Sequence, residues 1–318
     1  NGLCSLRPNE DKLTFSCVFE ITDQAEVKDF WIGRTVIHSN RRFTYEEAQE
    51  NMDNESGEYA KDLLKINSLA KLLRSARFKK GAINFETVEV KFQLDESGTP
   101  TGLIIKERKD VHKLIEEFML LANKTVATYI YNKNKGKSTF VYRVHDYPKL
   151  ATFSNFAKKF GHEIKILDEK KVSNSLNKLM DDIVGKPEQN ILEQLAIRSM
   201  AKAKYTTEPK QHFGLAFDHY THFTSPIRRY PDMMVHRLLQ HYLDGGKPPE
   251  NQAWEEKCVH SSEREKRAAD AERASIKYKQ VEYMKLAEDK DYSGIITGVT
   301  EWGVYVEISE TKCEGMVR

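Results

Sequence analysis

Leu13, Phe15, Cys17, Phe19 and Ile21 occupy alternate positions, with Thr14, Ser16 and Glu20 among the residues between them. A period of two puts the apolar set on one face, so residues 13–21 predict a half-buried β-strand. Trp31-Ile32-Gly33-Arg34-Thr35-Val36-Ile37 repeats the pattern. The period then changes. Over residues 58–76, Leu63, Leu64, Ile66, Leu69, Leu72 and Leu73 form one stripe of a helix. Alternation returns over residues 88–94, and the turn Asp95-Glu96-Ser97-Gly98 leads into Leu103-Ile104-Ile105, which reads as a hairpin. From about Lys109 to Ile130, Val111, Leu114, Ile115, Phe118, Met119, Ala122 and Val126 recur at spacings of three and four, the helical signature. Further helices are predicted over residues 153–160, 187–203 and 255–288, the last of them charged and free of Gly and Pro. Two β runs, residues 293–299 and 303–308, close the chain around a Gly-containing turn. They read as the opening of a small barrel of the oligonucleotide-binding type, which needs about 70 residues where roughly 27 are available. The pattern thus predicts an α+β fold: a mixed sheet with a large helical part, then a truncated OB-type β-barrel.

Composition narrows the function classes. The 318 residues suggest roughly two domains. With 50 Lys+Arg against 48 Asp+Glu, the net charge of +2 excludes a uniformly basic coat, so any anion-binding surface must be local. No apolar run approaches the ~20 residues that span a bilayer, and no basic-then-apolar leader opens the chain, so a membrane partner and secretion are not expected. Cys4, Cys17, Cys258 and Cys313 are scattered without zinc-ligand spacing, and four free thiols fit a reducing cytoplasm. His219 and His222 come nearest to a ligand pair, with no acidic or Cys partner at metal spacing.

The most informative stretch runs from His212-Phe213-Gly214-Leu215 through Tyr220-Thr221-His222-Phe223-Thr224-Ser225-Pro226-Ile227-Arg228-Arg229-Tyr230-Pro231-Asp232 to His236-Arg237. Ser225-Pro226 reads as a helix start, a Ser cap followed by a Pro whose missing N–H costs nothing there. Arg228 and Arg229 would then lie near the positive end of the helix dipole, which is unfavourable unless an anion docks there. The plainer alternative is a surface Arg pair bonded to carboxylates elsewhere.

His-Phe-Thr-Ser-Pro-Ile-Arg-Arg-Tyr-Pro-Asp with the following His-Arg resembles the signature of the ribonuclease II/R (RNB) family of processive 3′→5′ exoribonucleases, and most of all its bacterial ribonuclease R branch. Leu3-Cys4-Ser5-Leu6-Arg7-Pro8, Arg42-Phe43-Thr44-Tyr45, Lys91-Phe92-Gln93-Leu94-Asp95, Glu116 to Asn123, Tyr142-Arg143-Val144-His145 and Ala271-Glu272-Arg273 resemble family segments in the same order. Residues 294–317 are similar to the start of an S1 RNA-binding domain. The resemblance implies residues 1–288 as the C-terminal portion of an RNB catalytic domain and residues 289–318 as the start of an incomplete S1 domain.

What the resemblance implies for single residues can be stated position by position. Arg228 matches the family's active-site arginine, which would neutralise charge building on the scissile phosphate. Glu272 matches a glutamate whose loss alters turnover. Tyr45 matches an aromatic lining the site, Phe92 one that clamps bases through its π-face, and Glu116 a carboxylate that accepts from ribose hydroxyls. His222, Thr224, Ser225 and Arg229 of the signature, and Trp302 and Tyr305 of the S1 stretch, are expected along the RNA path. Each has a plain alternative: core aromatics for Tyr45 and Phe92, solvated helix charges for Glu116 and Glu272.

One departure stands out. The family holds Mg²⁺ with an aspartate cluster spaced Asp-x-x-x-x-x-Asp-x-Asp-Asp, oxygen ligands suited to a hard cation. No such cluster occurs here, and Asp181-Asp182 lies outside any matching context. In the family that cluster lies upstream of the Leu-Cys-Ser-Leu segment, together with cold-shock-type domains. The expectation is therefore a fragment of a single-stranded-RNA exonuclease that releases nucleoside 5′-monophosphates. Mg²⁺ would belong to the intact parent, no metal would be held by these residues, and the chain would be a monomer, inactive alone. The alternative is a non-catalytic RNA-binding protein.

Overall fold

The computed structural model describes residues 2–84, 89–106, 108–164, 169–186 and 188–318. Its elements run β1 (Asp11–Ile21), β2 (Val27–His38), α1 (Tyr45–Asp53), α2 (Ala60–Lys79), β3 (Glu89–Leu94), β4 (Pro100–Lys106), α3 (Asp110–Asn134), β5 (Tyr142–Val144), α4 (Ala151–Lys158) and α5 (Glu169–Asp182). They continue with α6 (Gln189–Ser199), β6 (Lys204–Thr206), α7 (Tyr230–Leu243), α8 (Asn251–Leu286), β7 (Gly294–Thr300), β8 (Gly303–Ile308) and β9 (Glu314–Val317). The fold is α+β, as the pattern predicted. The expected mixed sheet is not formed: the described strands make four separate antiparallel sheets, β1–β2, β3–β4, β5–β6 and β7–β8–β9. Alternation locates a strand but says nothing of its partner: β1–β2, β3–β4 and β7–β8–β9 pair sequence neighbours through short connections, whereas β5 pairs with β6 across α4, α5 and α6. Val88 and Pro187, where two predicted elements begin, lie outside the described residues.

The chain divides into two compact units. The first comprises Asn1–Ile83, Arg108–Tyr147 and Ala201–Ser262, and the second Asn84–Glu107, Pro148–Met200 and Glu263–Arg318. In the first, Val126 and Ile130 of α3, Tyr142 and Val144 of β5, and Met234, Val235, Leu238 and Leu239 of α7 form one core, joined by Ile32 and by Cys258 of α8. Phe15 and Cys17 pack onto it from β1, which accounts for the alternation that marked the strand. A smaller cluster joins α1, α2 and α3 through Ala48, Met52, Ala70, Val111 and Leu114.

Helix α1 was not predicted, although its start is written in the sequence. Thr44 accepts a hydrogen bond from Glu47 N–H at 3.1 Å, and Glu47 accepts one from Thr44 N–H at 2.8 Å, a complete capping box. Between α2 and α3 lies an ion pair with almost no exposure: Glu117 is 3% exposed and bonded to Arg77, itself 6% exposed, with Arg74 3.6 Å away. Glu117 sits in the apolar stripe of α3, where only a paired carboxylate is tolerated.

In the second unit, Lys279 of α8 donates to the carbonyl of Gly98 in the β3–β4 turn, and the ring of Phe92 meets Tyr283 of α8 at 6.0 Å. Helix α6 packs on α4 and α5. The last three strands form a meander, one strand more than the pattern predicted, because Glu314–Val317 pairs with β8. Gly303 opens β8 at φ +151°, close under the carbonyl of Val317, so a side chain there would block the β8–β9 approach. Gln280 of α8 donates to Lys312 O at 3.0 Å and Lys277 to Glu314 O, which seats the meander on the helix. Among the described residues no helix is long and apolar enough to cross a membrane.

Candidate functional site

The signature stretch is fastened to the first unit residue by residue. Gly214 N–H donates to His145 Nδ1 at 3.0 Å, so the imidazole proton resides on Nε2, which lies 2.7 Å from Ala201 O. A charged ring would set donor against donor at Gly214. Burial first, and then Arg143, hold the His145 pKa below its usual value. Arg143 N–H donates to Tyr220 O at 2.8 Å, and the Thr221 hydroxyl to Val141 O at 2.6 Å. Asn123 of α3 takes both sides of its amide into the stretch. Its Nδ2 donates to Tyr220 Oη at 3.0 Å, while its Oδ1 accepts from Phe223 N–H at 2.9 Å. His236 Nε2 lies 2.8 Å from Phe223 O.

Beyond Phe223 the structure corrects the predicted helix start. Helix α7 begins at Tyr230 with Pro231 in its first turn, not at Ser225-Pro226. Ser225 and Pro226 instead occupy the first two positions of a β-turn, closed by Arg228 N–H to Ser225 O at 3.3 Å and reinforced by Arg229 N–H to the same oxygen at 3.0 Å. The same residue types serve both devices: Ser favours position one of such a turn, and the fixed φ of Pro suits position two. Asp232, fully buried in the first turn of α7, accepts from Ser225 N–H at 2.7 Å and from Arg229 Nη2 at 2.8 Å through one oxygen, Oδ1.

Asp232 separates the two arginines. The Arg229 side chain is 19% exposed and engaged with that carboxylate. Arg228 is exposed on the turn, and among the described residues no carboxylate lies within ion-pair distance of it. Around the turn the potential is positive. The His222 pKa is pushed down to about 2, by burial first and then by Arg229, Arg143, His212 and Arg228. His212 is pushed to about 3 by burial, then by His145 and Arg143. Tyr205 Oη lies 2.8 Å from His222 Nδ1, and the Arg143 guanidinium stands 4.5 Å above the Tyr205 ring. Neutral imidazoles among guanidiniums, with one buried carboxylate already engaged, make a surface that attracts anions.

The donor set does not suit Mg²⁺, which takes several oxygen ligands. Asp232 Oδ1 is committed to two donors, the neighbouring cations oppose a dication, and among the described residues no group of three His, Cys, Asp or Glu could hold a metal ion.

The other predicted residues fall into two sets. In the first unit Tyr45 opens α1, 46% exposed, its ring stacked on His112 of α3 at 4.3 Å and 17°. Glu116, one helical turn after His112, is half-buried and paired with Arg108. The Thr224 hydroxyl is buried without a hydrogen-bond partner among the described residues. The second unit holds Phe92 against Tyr283, Glu272 exposed on α8, Trp302 73% exposed in the β7–β8 turn, and Tyr305 within β8. Four residues that shape the site were given no role from the sequence: Asn123, Arg143 and Asp232, which lie within the resembling segments, and Tyr205, which lies outside them. Asn123 had a readable signal, since an amide in an apolar helical stripe needs a buried partner.

A family model, the RNB domain, matches residues 1–245. Ribonuclease R 1 of Lactococcus lactis is 40% identical over the whole chain, which covers 40% of that protein. Ribonuclease R of Aquifex aeolicus is 37% identical over 99% of the chain and 46% of its own length. Among solved structures, Mycoplasma genitalium RNase R in complex with ribose methylated single-stranded RNA superposes with a TM-score of 0.90 at 27% identity, over 99% of this chain and 51% of that one. The chain thus spans two fifths to about one half of the proteins it matches.

Proposed function

This chain belongs to the RNB-domain family, and on that premise we propose that it is the phosphate-facing part of an exoribonuclease that shortens single-stranded RNA from its 3′ end, releasing nucleoside 5′-monophosphates. The observation that carries the reading is Arg228, an exposed guanidinium without a carboxylate partner among the described residues, on a turn whose backbone is tied down on both sides. A fork of N–H donors in a positive field suits the non-bridging oxygens of a phosphate, where charge builds during cleavage. Relatives named ribonuclease R and a structural neighbour holding single-stranded RNA support the substrate class.

Tyr45 in the first unit, and Phe92, Trp302 and Tyr305 in the second, would offer rings on which bases stack without sequence preference. Glu116 would accept from ribose hydroxyls, which distinguishes RNA from DNA. His222, Thr224, Ser225 and Arg229 would line the path beside Arg228, and Glu272 would act on turnover. Residues 1–288 would form the catalytic-domain portion and residues 289–318 the start of an S1 domain, in a monomer working in the cytoplasm. The hydrolytic Mg²⁺ would be held by carboxylates outside the site described here, so the 318 residues alone would bind RNA without cutting it. A non-catalytic RNA-binding role is the second reading, favoured for these residues by the poor match between the donor set and a divalent cation.

The test uses this chain, a 5′-labelled single-stranded RNA and Mg²⁺, with a gel shift and a cleavage ladder read from the same samples over a salt series. Binding that weakens with salt and gives no ladder is expected. A Mg²⁺-dependent ladder of stepwise 3′ shortening would overturn the inactivity of the chain. Absence of any shift would overturn its role in gripping RNA.

A further inference from the structure

Eight residues, Ser225 to Asp232, close into a ring through a single oxygen atom. Asp232 Oδ1 accepts from the backbone of Ser225, seven residues back, and from the side chain of Arg229, three residues back. Inside the ring, Ser225 O takes the N–H groups of both Arg228 and Arg229. What projects is Ile227, 75% exposed, Tyr230, 56% exposed, and the exposed Arg228. Burying a carboxylate completely is costly unless it is paired and bonded, and both conditions are met here by groups of the same turn. The charge of Asp232 also occupies Arg229, leaving one of two adjacent guanidiniums engaged and the other available to a ligand.

We propose that Asp232 is a positioning residue for Arg228: its buried carboxylate, bonded to Ser225 and Arg229, fixes the β-turn whose last residue presents the phosphate-facing guanidinium. The inference rests on the reading of Arg228 given above. A guanidinium displaced by about an ångström loses much of its differential grip on a reacting phosphate, because donors must match where charge develops. Asp232 therefore acts on the rate at saturation through Arg228, without touching RNA. Asparagine is a near-isostere that can keep both hydrogen bonds on its amide oxygen, and Oδ2, where its NH₂ would sit, has no hydrogen-bond partner among the described residues. Asp232→Asn therefore removes the charge while leaving room for the fold.

The experiment is a double-mutant cycle in the longer polypeptide of the proposed function, which joins these 318 residues to the carboxylates proposed to hold Mg²⁺, with Mg²⁺ and a 5′-labelled oligoadenylate. It reads the single-turnover rate at saturating RNA, the Kd and the melting temperature. Asp232→Asn is expected to slow the saturated rate about tenfold or more with Kd changed by less than about threefold. Arg228→Ala added to Asp232→Asn should slow it no further than Arg228→Ala alone, since coupled residues are non-additive. Tyr242→Phe, which removes a buried hydroxyl bond to Thr139 O in the core, serves as the control whose effect should simply combine with that of Arg228→Ala. Losses from Asp232→Asn and Arg228→Ala that multiply, or an Asp232→Asn effect confined to Kd or melting temperature, would overturn the proposal. If Asp232→Asn does not fold, Arg229→Lys, which keeps the charge and loses the planar fork, enters the same cycle with the same expected non-additivity. A saturated rate untouched by Arg228→Ala would instead remove the reading of Arg228, and the positioning role with it.

Discussion

The turn around Arg228 and the exposed face of α8 with its meander carry candidate residues in opposite ways. Bonds from α3 and β5 hold the chain at Tyr220 and Phe223 just before the turn, and Asp232 of α7 holds the turn itself at Ser225 and Arg229, until one cation is left over. On α8 only Cys258 is fully buried over 36 residues, and Glu272 is one exposed charge among many. A free guanidinium on a rigid support calls for a ligand, whereas an exposed glutamate on a helix rich in good helix formers is satisfied by water alone. The difference teaches that exposure becomes informative only where its surroundings are over-determined.

The largest effect tests the support itself. Glu117→Leu leaves Arg77 buried and unpaired and is expected to cost about 3–5 kcal/mol, measured by urea denaturation. A loss under about 1 kcal/mol would mean that the α2–α3 ion pair is dispensable to the fold of the first unit. Next comes Arg228→Ala, expected to lower the saturated rate of that longer polypeptide by about a hundred- to a thousandfold with little change in affinity. Affinity and rate falling together would make Arg228 a binding residue and narrow its contrast with the α8 face.

Acid tests the same contrast through protons. His145, His212, His222 and His236 all have pKa values held below the ordinary imidazole value in the folded state, chiefly by burial, with His212 near 3 and His222 near 2. Below about pH 6.5 the unfolded chain binds protons that the folded chain refuses, so stability present above that value is lost progressively on acidification. Melting curves between pH 7.5 and 4.5, values chosen to bracket that titration, should show a falling Tm, less steeply in His222→Gln. A flat profile would mean that these rings charge freely in the folded protein. The smallest effect belongs to the second unit: Phe92→Ala should weaken binding of short single-stranded RNA by about 1–3 kcal/mol, measured by fluorescence anisotropy. Unchanged affinity would return Phe92 to its packing against Tyr283.

Much of the fold could be read from periodicity. Helices α2, α3 and α8 and strands β1 and β2 fall within a few residues of their predicted bounds, because one buried face imposes its period on a long segment. Short elements escaped. Strands β5 and β6 are three residues each, too few to establish a period, and α1 was carried by its Thr44–Glu47 cap rather than by a stripe. At the site, the Arg pair was visible but its division was not. Two adjacent identical residues differ only because Asp232 is three residues from one of them along the chain, a bond created by the turn that the Ser-Pro pair disguised as a helix start. The expected mixed sheet failed for a related reason, since pairing is a property of two segments and each pattern describes one.

The hydrogen bonds closing Ser225 to Asp232 also carry an entropic consequence. Ordering a loop around an anion freezes backbone at roughly 1–2 kcal/mol per residue, whereas immobilising one long side chain costs about 2 kcal/mol at most. Here the backbone of the turn is already bonded to itself without a ligand, so the phosphate docking proposed for Arg228 would quench only the rotamers of a single arginine.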